Sequence, residues 1–175
     1  METTKWTIDP THSEVTFKVK HLMISTVTGS FKVFEGQAET EGEEFKSVKN
    51  VEFKADVKSI DTNNAQRDEH LRSADFFAAD EHADMIFKAG NFDVNSGQLQ
   101  GELTIRNTTK PVTLDVEFGG VVVDPYGQTK AGLTVTGKIS RKEFGLTWDA
   151  VTEAGSVVVS DQVRLNAEVQ FVKQA

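Results

Sequence analysis

The chain of 175 residues is 38% hydrophobic, has a formal net charge of −8 and contains no cysteine. This length favours a single domain over residues 1–175, since two separate cores would leave both halves small. The absence of cysteine excludes disulfides, thiolate nucleophiles and thiolate metal sites. Basic residues are scattered among acidic ones, which argues against a nucleic-acid partner and against an anionic membrane surface.

The N-terminal stretch, METTKWTIDP, lacks the apolar core that a signal peptide needs. Nowhere do about eighteen apolar residues run together, so we expect no stable insertion into a membrane. We therefore expect a cytoplasmic protein, or a periplasmic one if a leader peptide has been removed from it.

The first part of the chain alternates between apolar and polar residues, which is typical of half-buried strands. Trp6 to Ile8 predicts a short strand, and the turn signature Asp9-Pro10 ends it. The next strand has one predominantly apolar face, formed by Val15, Phe17, Val19 and His21.

The alternation then changes parity. Small residues from Ser25 to Gly29 interrupt it, and Phe31 and Val33 restart it. The opposite parity of the residues from Phe34 to Ala38 predicts a β-bulge between the two halves. The acidic run from Thr40 to Glu44 predicts a solvated hairpin loop. A sharply amphipathic strand follows, with Val51, Phe53, Ala55 and Val57 opposite Glu52, Lys54, Asp56 and Lys58.

The stretch from Ser59 to Phe77, SIDTNNAQRDEHLRSADFF, is the one place where the strand pattern stops. Asn63, followed three residues later by Gln66, has the spacing of a capping box. The pattern therefore predicts a short helix near residues 62–73. We interpret the whole stretch as a cover over one end of the fold.

The remainder predicts a run of strands separated by short turns rich in glycine, asparagine and proline. These connections are too short for helical crossovers, so neighbouring strands should pair antiparallel. Many such strands, each with one apolar face, need closure or a second sheet. We predict an all-β fold, a closed barrel of about eight strands, with a two-sheet sandwich as the alternative.

Polar side chains that could do chemistry are few. We expect a structural role for Arg67, Asp68 and His70, in which charged hydrogen bonds tie the helix to a loop. We interpret Arg141 as an anchor that closes the fold. His21 shares the apolar face of its strand, as either a core histidine or a contact for a ligand's polar group. No pair of histidines has the spacing of metal ligands, so we expect no metal site.

Several blocks of the sequence resemble the YceI-like, polyisoprenoid-binding proteins over nearly the whole chain. The blocks are WTIDPTHSEVTFKVKH, STVTGSF, SIDTNNAQRDEHLRSADFF, GELTIRNTTKPVTLDVEFGG, DPYGQTKAGLTVTGKISRKEFGLTW and VSDQVRLNAEVQF. The resemblance implies a lipocalin-like barrel of eight antiparallel strands with a long isoprenoid lipid or quinone in its lumen. It implies carriage or storage of that ligand, no other cofactor, and compatibility with a homodimer.

Strand parity predicts which residues line that lumen, with the two phenylalanines after the helix as a plug near it. The predicted lining is Phe17, Val19, His21, Phe31, Val33, Phe53, Phe76, Phe77, Phe87, Leu103, Leu133, Phe144 and Trp148. The leading hypothesis is a non-enzymatic lipid-binding protein. An enzyme acting on a hydrophobic isoprenoid substrate, and a stress-response β domain with a filled core, are the alternatives.

Overall fold

The structure is a computed structural model that describes residues 2–22, 24–147 and 159–175. Over these residues the chain forms eleven strands, one α-helix and four short 3₁₀ turns. The strands are β1 (Thr3–Ile8), β2 (Glu14–His21), β3 (Ser25–Phe31), β4 (Phe34–Glu41), β5 (Ser47–Asp56), β6 (Ile60–Asp61), β7 (Asp84–Asp93), β8 (Gln98–Ile105), β9 (Thr108–Val123), β10 (Thr129–Ser140) and β11 (Val159–Lys173). The helix, α1, spans Ala65–Arg72. The 3₁₀ turns are Pro10–His12, Val57–Ser59, Val94–Ser96 and Arg141–Phe144.

The strands form a closed antiparallel barrel, as predicted. Eight of them follow one another in the order β1-β4-β5-β7-β8-β9-β10-β11, and the pairing of β1 with β11 closes the ring. Closure leaves no free sheet edge in the ring, which explains how so many one-sided strands bury their apolar faces. The two-sheet sandwich is therefore wrong.

Strand β11 is long enough to join two neighbours on the same side. Its first part, from Val159 to Glu168, pairs with β2, and its last part, from Phe171 to Lys173, pairs with β1. Strands β2, β3 and β6 extend the sheet beyond the ring at one end of the barrel. The helix α1 follows β6, so it lies at that same end.

The predicted bulge after Phe31 is wrong, because the chain bends there and changes partners. Strand β3 pairs with β2 and β6, whereas β4 pairs with β1 and β5. Val33 lies in the bend, with its side chain 57% exposed. Its backbone N–H donates to the Ser59 hydroxyl over 3.0 Å. A bend, unlike a bulge, lets the residues on each side face the core while Val33 faces solvent.

Two other boundaries differ from the sequence prediction. Strand β4 continues through Glu41, so Thr40 is fully buried and does not lie in a solvated loop. The helix is capped by Asn64, whose side chain accepts a hydrogen bond from the Arg67 N–H, and it begins at Ala65. Asn63, the predicted cap, instead takes a left-handed conformation with φ 63°. Asparagine tolerates that conformation because its short polar side chain bonds locally.

Aromatic side chains close the end of the barrel opposite α1. The Trp6 ring meets the Phe45 ring edge-on with 4.9 Å between centroids. Phe45 also contacts Phe118 at 6.0 Å and Phe171 at 5.6 Å. Edge-on and offset rings pack favourably, so this end forms a solid base below the interior.

Candidate ligand cavity

The interior of the barrel contains an apolar cavity of about 140 Å³. Its wall is made from the inward faces of the ring strands and of β2 and β3, where every second residue points inside. Three polar residues also border it, namely Thr16, Thr136 and Asn166. Each lies next to an inward-facing residue on its strand, so its own side chain points to the other face of the sheet. Such a wall suits an apolar ligand and offers few groups for a charged one.

Six residues of the predicted lining border this cavity. They are Phe17, Phe31, Phe53, Phe87, Leu103 and Leu133. Further wall residues, which sequence reasoning did not select, include Ile8, Phe45, Val48, Phe92, Leu99, Leu114, Val135, Leu165 and Phe171. Most of these share the parity of the selected residues, so the period-two pattern could have found them. Phe45 could not be found in this way, because it lies in the loop between β4 and β5.

Other residues of the predicted lining lie elsewhere in the described structure. Val33 is exposed in the bend, as described above. Val19 and His21 are half-buried in the second half of β2, beyond the cavity wall. Phe144 is buried in a 3₁₀ turn of the core. Trp148 lies outside the described residues.

The two phenylalanines after the helix lie next to the cavity wall without forming part of it. Phe77 is half-buried, and its ring meets that of Phe31 edge-on at 6.2 Å. Phe31 in turn contacts Phe17 at 5.6 Å, and both of these rings border the cavity. Phe76 is buried in the core, and its ring meets the His70 ring edge-on at 5.1 Å. The segment that follows α1 is therefore in direct contact with the cavity wall.

Arg67 and Asp68 hold the helix to the loop before it through one residue, Thr62. The Arg67 Nε donates to the Thr62 hydroxyl over 2.8 Å, and its Nη2 donates to the Thr62 carbonyl over 2.6 Å. The Asp68 carboxylate accepts from both the Thr62 N–H and the Thr62 hydroxyl. Asp68 is only 7% exposed, so each of these bonds replaces water that burial has removed.

His70 and Arg141 make different contacts. The His70 Nε2 lies 2.9 Å from a carboxylate oxygen of Asp75, which follows the end of α1 in the chain. Arg141 is 3% exposed and donates to the carbonyls of Ser160, Leu146 and Val159 over 2.7 to 3.1 Å. Its planar guanidinium group carries several N–H donors, so it can bond several carbonyls at the same time. Neither residue borders the cavity.

The most strongly perturbed charges lie outside the cavity. The Lys130 Nζ donates to Asp9 over 3.1 Å and lies 3.5 Å from an oxygen of Asp124. Hydrogen bonds, first from the Thr11 hydroxyl and then from the His12 ring and from Lys130, hold the pKa of Asp9 well below its usual range despite burial. The pKa of Asp124 is lowered mainly by the Gln128 N–H, and that of Lys130 is raised mainly by Asp9. The cluster ties the turn after β1 to the β9–β10 hairpin.

Within the described residues, no group of three or more His, Asp and Glu side chains could hold a metal ion. None of the helices in this part of the chain has the length and apolar character needed to cross a bilayer.

Residues 6–171 match the family model of the YceI-like domain. The chain belongs to the YceI-like family. A UPF0312 protein of Staphylococcus epidermidis is 38% identical to it over 169 residues, covering 96% of this chain and 97% of that protein. The resemblance of the sequence blocks to this family is thus confirmed.

Solved structures show the same fold. The YceI protein of Campylobacter jejuni is 30% identical, with a TM-score of 0.71 over 89% of this chain and 90% of that one. A polyisoprenoid binding domain from Saccharophagus degradans, implicated in plant cell wall breakdown, is 14% identical. Its TM-score is 0.68, covering 97% of this chain and 98% of that one. At this identity the second likeness is one of fold alone.

Proposed function

We propose that this YceI-like protein binds a long-chain isoprenoid lipid, a polyprenyl quinone or a similar amphiphile in its barrel cavity. The observation that carries the proposal is the apolar cavity of about 140 Å³ inside the barrel. The Saccharophagus degradans domain of the same fold is described as polyisoprenoid binding, which supports the same class of ligand. Binding serves carriage, storage or sequestration, and no reaction is catalysed.

The size of the cavity sets how much of such a ligand enters without rearrangement. An engineered apolar cavity of about 150 Å³ stays dry and binds benzene. The cavity here, at about 140 Å³, therefore admits one isoprene unit or a similar group. A longer chain requires the phenylalanine rings of the wall to rotate and make room. Phe17, Phe31, Phe53 and Phe87 are the rings in position to do so.

Burial of the chain supplies the affinity. Each buried methylene contributes about 0.8 kcal/mol, so one five-carbon isoprene unit contributes roughly 3–4 kcal/mol before costs. Three or four units would offset an association cost of about 4–15 kcal/mol. Because the wall is apolar, this energy does not depend on the polar group at the end of the ligand. We therefore expect weak selectivity for that group.

The α1 end of the barrel is the expected entrance. The opposite end is packed with the rings around Phe45, whereas the α1 end is covered by residues 61–77, a short segment held through Thr62. The contact of Phe77 with Phe31 connects this cover to the cavity wall. The segment then acts as a lid that sets how fast a ligand enters.

Native mass spectrometry of gently purified protein tests the proposal directly. We expect a bound lipid of several hundred daltons, or, for protein freed of lipid, saturable uptake of farnesyl and octaprenyl quinones. Phe53→Asp, which places a charge in the wall, should take up neither quinone. A protein that remains empty and takes up neither quinone would contradict the proposal. It would favour the filled-core alternative.

The enzyme alternative has a separate test. His21, His70 and Arg141 are its candidate polar groups, and none of them borders the cavity. We expect His21→Ala and His70→Ala to leave bound isoprenoid chemically unchanged, as wild type does, when the lipid is recovered and weighed by mass spectrometry. Product formed by wild type and lost in either variant would support the enzyme.

A further inference from the structure

Four glycines on the barrel strands face the interior, and each lies against a side chain of the cavity wall. A Cβ atom added to any of these glycines would lie only 2.2 to 2.6 Å from the nearest atom of that side chain, which is a steric clash. All four side chains border the cavity. The pairs are Gly29 with Phe17, Gly36 with Ile8, Gly101 with Phe87 and Gly137 with Leu114.

Gly29 shows the relationship most clearly. It is the cross-strand partner of Phe17, on β3 opposite β2. A Cβ on Gly29 would lie 2.2 Å from the Phe17 Cζ and 2.7 and 2.9 Å from the two Cε atoms. The outer edge of the aromatic ring therefore occupies the space of the missing methyl group.

Backbone conformation does not account for glycine at these positions. The glycines with positive φ are Gly42, Gly97, Gly120, Gly127 and Gly145, and the four inward ones are not among them. Glycine inside a strand is destabilising and often marks a close approach by another group. What Gly29 provides is space, which the Phe17 ring fills.

We infer that the inward glycines set the free width of the cavity, and that Gly29 determines how bulky a ligand the barrel accepts. A methyl group at position 29 forces the Phe17 ring off the wall. On its other side the ring meets Phe31, at 5.6 Å, so the cavity is the space into which it moves. Since a cavity of this volume holds about one benzene-sized group, one displaced ring fills it.

The inference deepens the proposed function. It rests on that function only for the identity of the ligand. The barrel then accepts a slim apolar chain as its ligand, about one aromatic ring in cross-section. Lipids that are bulky or carry fused rings are excluded from the cavity. Gly101 is a less useful position for a test, because a Cβ there would also lie 2.5 Å from the backbone carbonyl of Lys88. At Gly29 and Gly137 only side chains need to move.

The test compares Gly29→Ala with Gly90→Ala, using benzene and farnesyl quinone as probes. Gly90 lies on β7, where an added Cβ meets nothing within 4 Å. We expect Gly29→Ala to weaken binding of both probes by at least about tenfold, because the displaced ring takes their volume. Gly90→Ala should leave both affinities unchanged. The double variant Phe17→Leu/Gly29→Ala, with a smaller side chain, should recover benzene binding.

The outcomes separate the two proposals. Wild type that binds benzene but no quinone, with Gly29→Ala losing benzene, would retain the inference and contradict the isoprenoid ligand. Benzene binding by Gly29→Ala equal to wild type, or none by wild type, would overturn the inference. Urea unfolding checks that each variant folds. If Gly29→Ala does not fold, Gly137→Ala replaces it, since there only the Leu114 side chain is displaced and the same losses are expected.

Discussion

The indole N–H of Trp6 donates a hydrogen bond to the hydroxyl of Thr40 over 3.0 Å, and both side chains are fully buried. The hydroxyl in turn donates a hydrogen bond to the Gly42 carbonyl over 2.9 Å. Trp6 lies on β1 and Thr40 on β4, paired strands of the ring. This bond connects the aromatic base of the barrel to its wall and satisfies the one polar atom of the indole.

Replacing Thr40 by valine keeps the shape of the side chain and removes the hydroxyl. The buried indole N–H then loses its acceptor, which costs about 1–3 kcal/mol of the free energy of unfolding. Urea denaturation monitored by tryptophan fluorescence measures the change. The control is Thr28→Val on β3, where the side chain is exposed and the same substitution should have little effect. Equal effects of the two substitutions would show that the Trp6 bond contributes nothing.

A charge on the cavity wall should be far more damaging than a charge in the bend after β3. Phe53 borders the cavity, so Phe53→Asp buries an unpaired carboxylate and should unfold the barrel or abolish ligand binding. Val33 is 57% exposed, so Val33→Asp should change the unfolding free energy by no more than about 0.5 kcal/mol. Lys54→Asp, one residue from Phe53 and facing out, removes an ion pair with Asp84 at the surface and should cost far less than Phe53→Asp. Similar losses in Phe53→Asp and Val33→Asp would contradict the bend.

Acid should destabilise the protein partly through Asp9. The pKa of Asp9 in the folded protein lies below its value in the unfolded chain, so the folded state gains stability from the ionised form. That gain is complete above the ordinary aspartate pKa of about 3.9 and is lost as pH falls from there toward the folded value. Urea midpoints from pH 7 to pH 3 should therefore fall more steeply for wild type than for Asp9→Asn. Asp115→Asn, which removes an exposed carboxylate of β9, controls for the loss of one charge. Parallel profiles for wild type and Asp9→Asn would contradict the expectation.

Loosening the cover should speed exchange over residues 61–77 without unfolding the barrel. Asp68→Ala leaves the buried Thr62 N–H without its acceptor, at a local cost of about 1–3 kcal/mol. Hydrogen exchange should then accelerate in this segment and remain slow in β8 to β10, and the association rate of farnesyl quinone should rise. Glu69→Ala, at the exposed position next to it on α1, is the matched control. Residues 61–77 that exchange as slowly as the barrel strands in every variant would argue against a lid.

Much of the barrel and of its wall could be predicted from local patterns. Alternation over β2, β5 and β7 to β11 indicated the strands, and the parity of Phe53, Phe87 and Leu103 placed them on the inner face. The same pattern failed at Val33 and at His21. Both residues have the same parity as their neighbours on the strand. However, Val33 lies in the bend and His21 lies beyond the end of the cavity, and both features depend on which strands pair with each other.

The role of the inward glycines is equally invisible in the sequence. Gly29 and Phe17 are twelve residues apart on neighbouring strands, and only their pairing brings the ring over the glycine. The burial of Thr40 follows in the same way from its approach to Trp6.

From the sequence alone one can predict the secondary structure of most of the chain, the inward faces of its strands, the presence of the helix and the family. These depend on the period of apolar residues and on short motifs, which are local properties. Three features are visible only in the folded protein, namely the closure through β1 and β11, the bend at Val33 and the width of the cavity between facing strands. Closure, the bend and the cavity width arise from the pairing of residues far apart in the chain. Side-chain alternation indicates which face of a strand is buried, but it does not indicate which strands become neighbours.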